Sequence, residues 1–148
     1  MIAGLLALTS AAVFFGSAIY VLAVEHVARE ALDDRAALME WQPAYKRGAI
    51  MQATISLLST ALGASAWWQT ANIGFGIGAI LALLPWPWTL LVIKPTNDKL
   101  LATSPEVAGA ESRRLLVTWG NLHTIRVALG GAATIAFLIG LIQQYSTQ

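Results

Sequence analysis

The chain has 148 residues, of which 57% are hydrophobic and 11% charged, with a mean hydropathy of +0.64 and a formal net charge of +1. A soluble domain carries about 25% charged residues, so this composition excludes an ordinary water-soluble fold, and so small a net charge excludes a phosphate-neutralising nucleic-acid binder. Cysteine is absent, which removes disulfides, thiolate metal sites and cysteine nucleophiles.

Every Lys, Arg, Asp and Glu except Arg126 falls within residues 25–47 or 94–114. A spanning helix needs ~20 apolar residues, and the chain supplies four such runs, near 2–24, 48–68, 73–93 and 115–142. The first begins without the basic region of a secretory signal and is long enough to cross a membrane, so it reads as the first membrane helix. In the connection that follows, Val27, Ala28, Ala31, Leu32, Ala36, Leu38 and Met39 interleave with charges. That pattern suits an interfacial amphipathic helix ending near Trp41-Gln42-Pro43, or a solvated connector.

The second and third runs are separated only by Gln69-Thr70-Ala71-Asn72, short enough to require an antiparallel hairpin. Within the third, Gly74 and Gly78 form a small-xxx-small pair suited to close helix approach. Pro85 and Pro87 free the carbonyls of Leu81 and Leu83, and a kink there can open a cavity. Next, Ser104 and Pro105 read as an N-cap and a first helical residue leading into the fourth helix. Trp67 and Trp68 flank the hairpin, while Trp41 and Trp119 border the charged side, as belt residues do.

Basic residues sit in the first connection (Arg29, Arg35, Lys46, Arg47) and the third (Lys94, Lys99, Arg113, Arg114), and the second connection and both tails have none. By the positive-inside rule the charged connections face the cytoplasm and both termini face outward, as in a bacterial inner-membrane protein. The expected fold is all-α: residues 1–148 as a single antiparallel four-helix transmembrane bundle, with an amphipathic cytoplasmic connection between helices 1 and 2.

Arg126 lies inside the last apolar run, and an ionisable group within a span is a functional candidate by default. Trp119, His123, Arg126 and Gly130 share one face by the 3.6-residue period. Arg126 lies roughly 10 Å beyond Trp119 along the axis, where facing lipid would cost at least about 2.5 kcal/mol. It should therefore face the bundle interior. Glu25, His26, Tyr45 and Asn97 approach the same half from the other helices. The expected site has His123, Arg126 and Asn97 as catalytic residues and Glu25, His26, Tyr45 and Trp119 as substrate-binding residues. Two readings compete for this set: a reaction or binding site, and a structural clasp in which Glu25 neutralises Arg126 and the histidines hydrogen-bond to exposed carbonyls. No His-x-x-x-His pair occurs and Glu25 and His26 diverge on a regular helix, so no metal site is expected.

Two stretches carry a family resemblance. Leu84-Pro85-Trp86-Pro87-Trp88-Thr89 leads into Ile93-Lys94-Pro95-Thr96-Asn97-Asp98-Lys99-Leu100, and Trp119-Gly120-Asn121-Leu122-His123-Thr124-Ile125-Arg126 follows; Glu25-His26 and Trp41 fit as well. With these the chain resembles the anthrone oxygenase-like family of small four-helix membrane proteins. The Pro85 and Pro87 doublet departs from the single proline of that pattern. The resemblance implies oxidation of a planar aromatic anthrone to an anthraquinone without an organic cofactor. For such a substrate the expected general base is His123, with an unperturbed pKa of about 6.5, with Arg126 and Asn97 as oxyanion donors, Glu25 or His26 orienting His123 or relaying its proton, and Trp119 and Tyr45 as flat walls. Beyond the lipid bilayer, the expected partners are that small molecule and a second copy or a membrane-protein partner, with no nucleic acid. The rival functions are a non-catalytic accessory subunit packing through Gly74, Gly78, Gly130 and Gly131, and a small transporter. The crowding of polar groups into one half of the bundle disfavours the transporter.

Overall fold

A computed structural model describes residues 2–146. They form four helices long and apolar enough to cross a membrane: α1 (Ile2–Glu30), α2 (Asp34–Thr70), α3 (Ile73–Ala102) and α4 (Ala110–Ser146). The 37 residues of α2 and of α4 extend ~55 Å at ~1.5 Å per residue, well beyond a hydrocarbon layer of ~30 Å. Each helix therefore continues past its apolar run into the charged segments.

This continuation replaces the expected separate interfacial helix. Residues 27–30 extend α1, and Asp33, whose Oδ1 accepts from the Ala36 N–H at 2.8 Å, starts a helix that runs unbroken through Pro43. The amphipathic stripe is present, but protein covers it. Ala37, Leu38 and Trp41 are buried against Ile93, Leu100, Leu116 and Trp119. Burying those side chains against other helices satisfies the same apolar face that a membrane surface would otherwise cover. Polar ties hold this end together: Arg113 donates to Asp34 Oδ1 at 2.7 Å and to the Leu32 carbonyl at 2.5 Å, and Gln42 donates to the carbonyls of Leu100 and Thr103.

At the other end Ala71 adopts a left-handed conformation (φ 54°) and Asn72 caps α3, accepting from the Gly74 N–H at 2.9 Å while donating to the Gly140 carbonyl at 3.0 Å. Away from this turn, contacts pair Trp67 with Gly76, Gly63 with Ala79 and Ser56 with Ala82, so numbering falls along α2 as it rises along α3. Between the ends, glycines admit aromatic rings. Phe137 lies over Gly63 and Gly78, Phe75 over Gly4 and Gly140, and Phe14 over Gly130. Gly74, Gly78, Gly130 and Gly131 thus all pack within the chain, and the close approach expected of Gly74 and Gly78 is made to α4.

The start of α4 differs from expectation. Pro105–Val107 forms an isolated 3₁₀ turn, and the Ser104 hydroxyl turns to Glu106 without capping a helix. Instead the N–H of Gly109 donates to Ser112 Oγ at 3.0 Å, and α4 begins at Ala110. A helix started at Pro105 would have carried Gly109, a poor helix former, inside its second turn.

A Cβ on Gly74 would stand 2.8 Å from the backbone of Gly140, where no side-chain motion can relieve it. Gly74→Leu is expected to lower stability by about 1–3 kcal/mol, read as a lowered melting temperature in detergent. Gly16, whose Cβ would meet nothing within 4 Å, should accept Ala without loss.

Candidate functional site

Two helices loosen at the same level. In α1, Val21–His26 forms a π-helical turn, and in α3 a second occupies Thr89–Ile93. Proline accounts for the second. Pro85 and Pro87 cannot donate to the carbonyls of Leu81 and Leu83, regular helix stops at Leu83, and after the short segment Pro85–Trp88 the chain takes the wider turn. Such turns insert an extra residue and redirect the side chains around it.

Beside these turns lies a cavity of about 510 Å³ with walls from all four helices. Six of the residues expected from sequence line it: Glu25, Tyr45, Asn97, Trp119, His123 and Arg126. His26 does not. Its ring packs where a Gly120 side chain would stand, 6.2 Å from the Trp119 ring, and its Nε2 lies 3.6 Å from Glu30. Glu25 turns toward the cavity while the His26 ring turns toward Gly120, the divergence expected of these adjacent positions.

Arg126 is held without an acid. Its Nη1 donates to Thr89 Oγ1 and its Nη2 to Gln52 Oε1, each at 2.7 Å, and its guanidinium lies 5.7 Å from the Phe14 ring centroid. No carboxylate lies within 4.0 Å of it among the described residues. Glu25 is not its counter-ion, because it sits 3.8 Å from Arg29 instead. The Glu25–Arg126 pair of the expected clasp is therefore not formed, while the histidine-to-carbonyl contact of that reading is made by His123 to Ala18. Neutral acceptors fix the planar cation in direction while leaving its charge uncancelled. A smaller cavity of about 100 Å³ beside Pro85, Trp86 and Gln52 reaches Arg126 from the proline break.

His123 is 3% exposed, and its Nε2 lies 3.2 Å from the Ala18 carbonyl. A carbonyl only accepts, so in the neutral ring Nε2 carries the proton and Nδ1 carries the lone pair. Trp119 stacks on this ring at 5.1 Å and meets Trp41 edge-on at 5.7 Å. Trp41 stacks in turn on Tyr45 at 4.7 Å. Both tryptophans are buried walls of the cavity and not belt residues, whereas Trp68 at the hairpin end is 90% exposed.

Asn97 Nδ2 donates to the Tyr45 hydroxyl at 2.9 Å. The amide donor expected to face a substrate is thus engaged, and the tyrosine that accepts from it keeps its own O–H to give. Sequence reasoning missed Gln52, Thr89 and Arg29. Gln52 was legible as the lone amide inside the second apolar run, and Thr89 ends a motif already singled out. Arg29 sits in a charged segment and reads as solvated there, yet it is 3% exposed, ion-paired to Glu40 and 6.0 Å from the Trp119 ring centroid. Arg29 Nη1, Trp41 Nε1, Asn97 Oδ1 and Arg126 Nε are all buried without a hydrogen-bond partner, and all four residues line the larger cavity. Buried polar atoms are ordinarily satisfied; four of the six unpaired ones among the described residues belong to residues of this wall, and the other two are His26 Nδ1 and Trp86 Nε1.

Gln52→Leu removes an acceptor from a buried cation and is expected to cost about 1.5–3 kcal/mol. Arg126→Met in the same chain should recover part of that loss, because the apolar pair leaves no charge unsatisfied. A double-mutant cycle on thermal unfolding reads the coupling, and strictly additive losses would show that the two side chains do not interact.

A family model described as Anthrone oxygenase matches residues 41–136. That stretch holds Tyr45, Gln52, Thr89, Asn97, Trp119, His123 and Arg126, whereas Glu25 and Arg29 precede it. No curated protein and no solved structure matches the chain.

Proposed function

This chain belongs to the anthrone oxygenase family, and on that premise we propose that it oxidises a planar, weakly acidic aromatic compound with dioxygen in the cavity between its helices. The observation that carries the reading is the neighbourhood of His123 and Arg126: a base with a fixed tautomer and an unneutralised guanidinium on the wall of one cavity of about 510 Å³. Ligand pockets typically measure ~300–1,000 Å³, ample for a fused tricycle. The charged ends of the helices face the cytoplasm in this account, in keeping with the positive-inside rule.

An anthrone carries a methylene between two aromatic rings, opposite a carbonyl. His123 takes one methylene proton on Nδ1, and the C–H electron pair delocalises onto the carbonyl oxygen. Arg126 and the O–H of Tyr45 donate to that oxygen, stabilising charge where it develops. The carbanion passes one electron to dioxygen, the resulting radical pair joins as a C–O bond, and the peroxide takes up the proton held by His123. Loss of the second methylene proton then cleaves the O–O bond, leaving a carbonyl and releasing water. Each turnover consumes one dioxygen and yields one quinone and one water, with no other reductant or oxidant. Asn97 orients Tyr45, and Trp119 and Trp41 supply flat faces for the rings.

His123→Ala is expected to lower turnover of a test anthrone by about 10²–10⁴-fold, followed as quinone absorbance under air, while the melting temperature shows a folded protein. Arg126→Lys keeps a positive charge and loses the planar fork, so a large loss there favours directed hydrogen bonding. Undiminished turnover in His123→Ala would eliminate the base and with it this mechanism.

A further inference from the structure

Where the cavity opens decides what can enter it. Among its lining residues Tyr20, Arg47 and Met51 are exposed, and these lie on α1 and α2; none of its described lining residues on α3 or α4 is exposed. Toward the charged end Leu38, Leu100 and Leu116, none more than 3% exposed, pack behind the walls formed by Trp41 and Trp119, and Glu25 on α1 is the partly exposed lining residue there. Toward the hairpin end Phe14 and Ala18 are equally buried. The opening is therefore sideways, between α1 and α2.

The surface around it is apolar. Tyr20 and Met51 are 53% and 47% exposed, and Val24 and Ile50 beside them are 49% and 72% exposed. Arg47 and Lys46 end the charged segment, and the apolar run of α2 begins at Gly48. The gap thus straddles the level where headgroups meet hydrocarbon, with Arg47 on the polar side and Met51 on the apolar side. Within the cavity the same order holds. Val21, Ala44, Ala49 and Ile93 supply apolar wall, and the polar groups converge around Arg126 and His123.

We propose that the cavity is filled laterally from the membrane through the gap bounded by Tyr20, Arg47, Gly48 and Met51, and that its substrate is a bilayer-dissolved amphiphile. Such a molecule has a flat apolar body and one acidic hydroxyl or enolisable carbonyl. This rests on the reading of the cavity as a small-molecule site. An apolar aromatic compound concentrates in lipid, so the route delivers it at high local concentration and keeps the Arg126 face away from bulk water. Release of a quinone, also lipid-soluble, follows the same path.

Gly48 makes the gap testable. It lines the cavity, and a Cβ added there would meet nothing within 4 Å, so a large side chain can stand in the opening without displacing the backbone. Gly16 on α1 is equally free of neighbours and does not line the cavity, which makes it the matched control. Because the chain has no cysteine, Ile93→Cys puts a single thiol on the wall contributed by α3, 2% exposed in the native chain. The protein is reconstituted in lipid nanodiscs and labelled with N-(1-pyrenyl)maleimide, which partitions into lipid, or with a sulfonated aliphatic maleimide, which stays in water.

The pyrene reagent should label Ile93→Cys at a rate set by its ratio to lipid. Adding Gly48→Trp should slow that labelling at least tenfold, and adding Gly16→Trp should leave it unchanged. The sulfonated reagent should be slow throughout. Gly48→Leu, a smaller plug, should give an intermediate rate and serves if the tryptophan variant does not fold. Equal pyrene labelling with and without the plug would overturn lateral entry, as would fast labelling by the sulfonated reagent that ignores residue 48. The thiol reaction does not need His123, so gated labelling without anthrone turnover sinks the chemistry alone. Ungated labelling with turnover sinks only the route.

Discussion

A guanidinium inside a membrane bundle, with no carboxylate among the described residues close enough to cancel it, is the constraint on which the rest of this structure depends. Burying a charge is expensive unless it is hydrogen-bonded, and a buried ion pair often gains little over apolar packing. Here Arg126 is directed by two neutral oxygens, Gln52 Oε1 and Thr89 Oγ1, and by the face of Phe14. Such an arrangement is a poor device for stability and a good one for attracting an anion. Had Glu25 occupied its place, the site would have been closed electrostatically.

The helices around Arg126 are shaped to keep room beside it. Two π-helical turns fall at the same level, one in α1 and one following the prolines of α3, and residues on both line the cavity. Below them Leu38, Leu100 and Leu116 pack behind the walls formed by Trp41 and Trp119, and above them Phe75 and Phe137 fill the bundle against glycines. The glycines allow the hairpin end to pack tightly while the other half stays open. The hollow is therefore a consequence of where small residues and prolines were placed along each helix.

Much of this architecture is legible in the amino-acid sequence itself. Charge confined to two segments located four spans, and the lone Arg126 with His123 one turn earlier located one wall of the cavity. What escaped was whatever depends on side-chain direction across helices. Periodicity cannot say that Glu25 turns to Arg29 and not to Arg126, or that Asn97 spends its donor on Tyr45, because those choices are made by neighbours distant in sequence. Arg29 was invisible for a related reason: a charged residue in a charged segment reads as solvated, and only the extension of α2 over it makes it buried. The same extension is why the expected interfacial helix became part of α2, its apolar face finding Leu116 and Trp119 before it could find lipid.

Trp41 and Trp119 line the space beside Arg126, so a saturable component of the tryptophan quenching, above the collisional quenching of the exposed Trp67 and Trp68, reports its occupancy by an anionic or acidic aromatic molecule. The most direct measurement is titration of the lipid-reconstituted protein with a planar hydroxyanthraquinone under nitrogen, comparing the native chain with Arg126→Met. Saturable quenching in the native chain that is lost or weakened at least tenfold in the variant is the result this account predicts. Quenching that does not saturate, or that is the same in both proteins, would contradict it.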